Sequence, residues 1–213
     1  YKSNDPYSNR DPRLAATVLY NGVNWGNGII NVLKGQRDNP QGNANATPTG
    51  YYTRKYIPEV ILNNNHTGSN WIIIRYAEIL LNYAEALNEA GGSRSDVLNA
   101  IQPLRNRVGM TAKLTDRSDL QTIADRRNFI RKERTVELAF EDHRAWDVRR
   151  WNVAEKALAR PIYGMEITKE NGKFVYTRKV AQNRVFTEKM YLYPIPEGEV
   201  WKTNIENNPG WNN

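Results

Sequence analysis

The chain of 213 residues contains no cysteine. That absence excludes disulfide staples, thiolate-bound zinc, iron–sulfur clusters and thiol catalysis, while leaving the cellular compartment open. Long apolar runs are missing too. The most apolar short stretch, Trp71 to Ile74, falls far short of the roughly 20 residues that span a bilayer as a helix. Histidine occurs only at positions 66 and 143, too far apart for metal-ligand spacing. No GxSxG, GxxxxGK[ST] or strand-linked GxGxxG occurs. No metal or cofactor is therefore expected, and no catalytic residue stands out. Phenylalanine is scarce, with 4 residues against 12 tyrosines and 6 tryptophans. Tyr and Trp pair an apolar body with a polar handle and suit half-wet surfaces.

What is present describes an ordinary globular mixture, 39% hydrophobic and 25% charged, with a formal net charge of +7. Residues 100–150 carry 12 basic and 8 acidic side chains. Interleaved signs read as a salt-bridged helix face, not a phosphate-binding stripe, so nucleic acid is not an expected partner. Asparagine occurs 26 times, 13 of them before Ile72. The first residue is Tyr1, with no initiator Met or signal peptide, so the chain reads as a processed product or a piece of something longer.

Three regions follow from the punctuation. Residues 1–68 are broken by Asn, Gly and Pro and read as loop, with β-prone pieces at Thr17–Tyr20, Gly28–Ile30 and Tyr51–Ile57. Residues 69–160 read as a helical core. Ile73, Tyr76, Leu80, Tyr83 and Leu87 follow at spacings of 3 and 4 and predict one buried helix face, ended by Gly91-Gly92. Ser95 or Asp96 caps a second helix with the stripe Val97, Ile101, Leu104 and Val108, which Pro103 should kink. The pair has the size of a tetratricopeptide-type hairpin. A long helix is expected from Ser118 or Asp119 to about Phe140, and another from Arg144 to Ala159. Residues 161–213 read as a strand-and-turn tail, with alternation at Lys173–Val180 and Arg184–Tyr193. Trp71, Trp146 and Trp151 read as helix packing, and Trp201 and Trp211 as tail anchors. The fold class is mainly α: tetratricopeptide-like hairpins with a loop-rich region and short strands at both ends.

Glu133, Glu137 and Glu141 are spaced four apart, the latter two within the apolar stripe of the long helix. Paired carboxylates suit glycoside hydrolysis. All three sit on one helix, however, and Arg75, Arg105, Arg107, Arg134, Arg144, Arg149 and Arg150 are available as partners. A structural ion-pair network is the stronger reading.

Several blocks in register resemble one family. They are Arg75–Ala90, Pro103–Gly109, Ile130–Arg134 running on to Glu137–Glu141, the set Arg144, Asp147, Arg149, Arg150 and Trp151, then Tyr191–Pro196 and Asn208–Trp211. Together they are similar to the carboxy-terminal part of the SusD/RagB family. The resemblance implies a non-catalytic, lipid-anchored protein of the Bacteroidetes outer membrane surface. Such a protein binds oligosaccharides, or sometimes peptides, as the lid of a SusC-like TonB-dependent transporter. It also implies an amino-terminal part of the same protein, with signal peptide, lipidated Cys and early repeats, that this chain does not contain. Fewer repeats than the family's full set should leave an apolar patch exposed near Ile72, Ile79 or the Val97/Ile101 side.

The matched blocks carry no ligand residues, so the site expectation rests on chemistry. Tyr20, Trp25, Tyr51 and Tyr52 supply flat rings that can stack on sugar faces, and Asn24, Asn27 and Arg54 supply polar groups. Two alternatives remain open: a helical-repeat scaffold that binds only protein, and a glycosidase using the carboxylates.

Overall fold

The computed structural model describes residues 5–26, 28–57 and 70–211. Helices α2 (Tyr76–Glu89) and α3 (Arg94–Arg107) form an antiparallel hairpin, and α4 (Ile123–Glu137) packs on both. Ser93 accepts a hydrogen bond from the Asp96 backbone and caps α3, two residues before the expected position. Thr122 and Asp125 form a reciprocal capping box that starts α4 later than Ser118 or Asp119 would. Helix α3 continues through Pro103, which removes one backbone hydrogen bond without ending the helix. The expected helix over 144–159 is two, α5 (His143–Arg150) and α6 (Ala154–Leu158), divided where Asn152 takes a left-handed φ of 53°.

The core of the helical part is Ala84, Val97, Leu98, Ile101, Leu114, Leu120, Phe129 and Ile130, extended by Ala77, Leu81, Leu104 and Leu138. The buried face of α2 is therefore Ala77, Leu81, Ala84 and Asn88, not the stripe through Tyr76 and Tyr83. Ile73, Tyr76 and Tyr83 are 80%, 73% and 57% exposed. Apolar residues surround this helix, so periodicity alone does not choose the face. The small side chains of Ala77 and Ala84 choose it, because they admit the close approach of neighbouring helices.

The remaining chain builds a second, smaller core from both ends of the sequence. Helix α1 (Arg13–Thr17) leads into β1 (Val18–Leu19), which pairs antiparallel with β4 (Tyr52–Thr53); β2 (Asn24–Trp25) pairs with β3 (Gly28–Ile29). A long hairpin, β5 (Ile162–Glu170) and β6 (Lys173–Gln182), closes through Asn171-Gly172, whose φ values of 48° and 78° fit a two-residue type I′ turn. Leu19, Ile30, Val32, Met165 and Ile167 bury together between hairpin and loops. Gly164 permits this docking, since a Cβ there would lie 2.8 Å from Thr49 Cα. The alternation seen at Arg184–Tyr193 forms no strand; a 3₁₀ turn occupies Glu188–Tyr191, and α7 (Glu197–Thr203) follows. Trp211 anchors the tail by donating to the Lys189 and Leu192 carbonyls at 2.9 and 3.0 Å. Trp201 anchors nothing, being 77% exposed on α7.

Candidate functional site

The loop-rich part is fastened to the helices by charge. Glu133 and Glu137 lie one turn apart on the inward side of α4, and Glu141 follows four residues beyond the helix end. All three are buried, so each needs a counter-charge. Arg13 Nη1 of α1 lies 3.0 Å from Glu133 and 3.1 Å from Glu137. Arg105 reaches Glu133 at 2.5 Å, and Arg107 reaches Glu137 at 2.7 Å. Arg75 spans Glu137 at 2.8 Å and Glu141 at 2.6 Å. Lys55 pairs with Glu141 and donates to the carbonyls of Glu137 and Ala139, at 3.0 Å each. These cations sit at the C-terminal end of α4, where exposed carbonyls favour positive charge.

Burial alone would raise the Glu137 carboxyl, but hydrogen bonds from Arg75 and Arg13 and the charges of Arg75 and Arg107 outweigh it and hold it below the usual carboxylate range. Glu141 is held down in the same way, against burial, by Arg75 and Lys55. An ionised, fully engaged carboxylate cannot donate a proton to a leaving group, so the geometry speaks against glycoside hydrolysis here. A second cluster ties α2, α4 and α5. Arg134 donates to Asp147 at 2.9 and 3.0 Å and to Asn82 at 2.6 Å, while Arg150 and Trp151 close on Glu85. Arg13 and Lys55 come from the loop-rich region and carry no helical pattern, so the sequence offers no signal for their part.

Beside this network, open space surrounds Leu14 of α1. A cavity of about 660 Å³ is walled by Tyr51, Tyr52 and Phe140, with Thr47, Thr49 and Thr53 supplying hydroxyls. It shares Leu14 and Val18 with a 350 Å³ cavity against Val136 and Ala139. It shares Leu14 and Tyr51 with a 280 Å³ cavity beside Tyr7, Tyr163 and Arg178. Phe140 adopts φ of 63°, a conformation that bulky residues avoid, and is 49% exposed. Its backbone is held on one side by Lys55 on the Ala139 carbonyl and on the other by the engaged Glu141. A cavity of about 800 Å³ lies between Asn9–Pro12 and α3–α4 and shares Arg10, Asp11 and Val136 with the 350 Å³ cavity. Most of its charged groups are already engaged, Arg117 with Asp119, Arg105 with Glu133 and Asp125 with Thr122. Among the described residues no group of three or more His, Asp or Glu could hold a metal ion.

The structure brings some of the expected site residues together and separates others. Tyr51 and Tyr52 line the groove. Burial raises the Tyr52 hydroxyl above its ordinary pKa, and this hydroxyl donates to the Asp38 carbonyl at 2.8 Å. Tyr20 is half-buried behind the groove, stacked on Tyr7 with centroids 4.1 Å apart. Trp25 packs half-buried beside the smaller core, its ring under the Arg54 guanidinium at 5.1 Å, and Arg54 also donates to the Ala15 carbonyl at 2.8 Å. Asn24 is exposed on β2, where as the strand neighbour of half-buried Trp25 it faces the opposite side. Asn27 lies outside the described residues, as does His66. Phe140, Tyr163 and the threonines come from outside the expected set. The sequence places Phe140 at the end of the long helix, whereas α4 stops at Glu137 and Phe140 turns left-handed beyond it.

The model of the SusD family matches residues 1–211, and the chain belongs to that family. SusD-like protein P2 of Formosa agariphila is 30% identical over 154 residues, which cover 70% of this chain and 27% of that protein. A SusD-like protein from Bacteroides fragilis has a solved structure that matches 96% of this chain and 40% of its own, with a TM-score of 0.78 and 28% identity. A second Bacteroides fragilis structure, described as a SusD-like carbohydrate-binding protein, matches 93% of this chain and 42% of its own, with a TM-score of 0.72 and 28% identity. The chain thus spans about two-fifths of these solved relatives. The mainly helical architecture with short antiparallel strand pairs is theirs as well as this chain's.

Proposed function

We propose that the chain is a non-catalytic, glycan-binding portion of a cell-surface capture protein, and that the groove around Leu14 takes the sugar. The observation that carries this reading is a groove with aromatic walls, Tyr51, Tyr52 and Phe140, and a threonine rim. Sugar rings offer apolar faces and hydroxyl edges, and such a groove answers both. Membership of the SusD family, and the carbohydrate-binding description of one solved relative, support the same class. Trp25 and Arg54 form a second contact patch, with Tyr20 as support behind Tyr7. In this reading the captured oligosaccharide passes to a SusC-like TonB-dependent transporter in the outer membrane, where the whole protein sits on the cell surface. No helix among the described residues is long and apolar enough to cross a membrane.

Affinity electrophoresis against a panel of polysaccharides tests the groove. Tyr51→Ala should lose most of the retardation of the wild type, and Trp25→Ala a part of it. Unchanged retardation of both folded variants would remove the groove and the patch from the site. Co-purification with a SusC-like transporter tests the transfer step.

A second reading, a helical scaffold that binds protein, is favoured by one observation. The outer face of α2 exposes Tyr76, Ile79 and Tyr83 in a row. Retained glycan retardation in a Tyr83→Lys variant separates the two surfaces.

A further inference from the structure

The 280 Å³ end of the groove differs in character from the rest. Its walls are Tyr7, Tyr51 and Tyr163, and two arginines, Arg10 and Arg178, reach into it from opposite ends of the sequence. The Arg178 guanidinium carbon lies over the Tyr163 ring, 3.5 Å from its centroid. A guanidinium held over a ring face in this way is restrained and keeps N–H groups free to donate. Arg10 is held near its base, its Nε donating to the Pro6 carbonyl at 3.0 Å. The residue is exposed and lines the same compartment.

Neither arginine is in an ion pair among the described residues, and no carboxylate lines the compartment. The acids on either side of Arg10 in the chain are occupied. Asp5 accepts from the backbones of Tyr7 and Ser8, and Asp11 pairs with Arg13 at 2.6 Å. Beside Arg178, Lys179 takes Glu166 at 2.5 Å. Two cations thus share a small compartment that no carboxylate lines, at the end of an aromatic groove and on a chain of net charge +7; Arg10 also borders the neighbouring 350 and 800 Å³ cavities, where its chain neighbour Asp11 is held by Arg13. A neutral sugar has no use for that charge. A bidentate guanidinium fork fits a planar carboxylate or a sulfate.

We propose that this compartment selects anionic glycans, seating a carboxylate or sulfate of one sugar residue between Arg10 and Arg178 while neighbouring residues lie along Tyr51 and Phe140. The proposal rests on the glycan-binding reading above and sharpens it to an acidic substrate class.

Titration calorimetry on the full chain tests it with polygalacturonate as the uronate probe, dextran sulfate as the sulfate probe, amylopectin as the neutral probe, and poly-glutamate as an acidic polymer without sugar. The expected result is binding of at least one acidic glycan well above amylopectin and poly-glutamate. Arg178→Gln and Arg10→Gln, with melting temperatures unchanged, should each weaken it by about tenfold. The stronger of the two acidic probes identifies the group recognised. Binding of amylopectin alone, or acidic binding that both variants retain, overturns the selection for acid and leaves the glycan reading standing. Equal binding of poly-glutamate reduces the effect to bulk charge and overturns it as well. Failure of every glycan to bind overturns both.

Discussion

Glu137 is the residue on which most of the architecture converges. Its carboxylate meets Arg13 of the loop-rich part, Arg75 before α2 and Arg107 of α3, with 2% of its side chain exposed. Removing one partner of a buried ion pair typically costs ~3–5 kcal/mol, because the others keep their desolvation cost. Glu137→Ala should therefore lower the melting temperature by roughly 10 °C in a domain of this size. A variant that melts like the wild type would show the network to be incidental. The depressed carboxyls also set an acid limit. Glu137 and Glu141 titrate below the unfolded value of about 4.3, so their contribution is complete above that pH and is lost as pH falls through their folded values. Melting temperature should drop steeply below about pH 4.3, and a Glu137→Gln, Glu141→Gln double variant should show a shallower drop from a lower start. Parallel curves would contradict the assignment. Sequence spacing places these three acids on a charged helix and supplies arginines nearby. It leaves out Arg13 and Lys55, since long-range pairing from a loop has no periodic signature.

Among the elements, long helices with sharp caps are legible and faces are not. The Thr122–Asp125 box fixes the start of α4, and Thr122→Ala should destabilise by about 1 kcal/mol on chemical denaturation. The inward face of α2 escapes the periodic reading because Ile79, Leu80, Leu81 and Tyr83 offer apolar side chains on several sides. The β5–β6 hairpin carries a strong local signal in Asn171-Gly172, yet its first strand mixes buried Met165 and Ile167 with Gly164, which breaks the pattern. The turn at Phe140 is the element that joins network to groove. Phe140→Gly relieves a left-handed conformation that costs about 1–3 kcal/mol for a bulky residue, and removes a groove wall. The variant should melt at or above the wild-type temperature while its glycan retardation falls. A clear loss of stability would mean that the ring packs as core.

Across the whole molecule, charge fastens the helical core to the smaller core of the loop-rich part, and a third apolar cluster of Val148, Ala154 and Phe186 seats the tail. The expected apolar patch is present on one side only. Val97 and Ile101 are fully buried against α4, whereas Ile73, Tyr76, Ile79 and Tyr83 continue one exposed strip along the outer side of α2. Apolar strips of this kind exceed the scattered single residues usual on a surface. The chain in solution should bind a hydrophobic dye, and Tyr83→Lys should reduce the signal without changing the melting temperature. Dye-free wild-type protein would show the strip to be too dispersed to act as a patch.

The groove around Leu14 is proposed as the main sugar seat, with the Trp25 patch as a secondary contact. Determining the crystal structure of the chain soaked with an oligosaccharide from its best-retarding polysaccharide tests it most directly. The expected result is a sugar ring against Tyr51, flanked by Phe140 on one side and by Tyr163 on the other. Sugar density seated instead in the 800 Å³ cavity by Lys132, or along the outer face of α2, would contradict it.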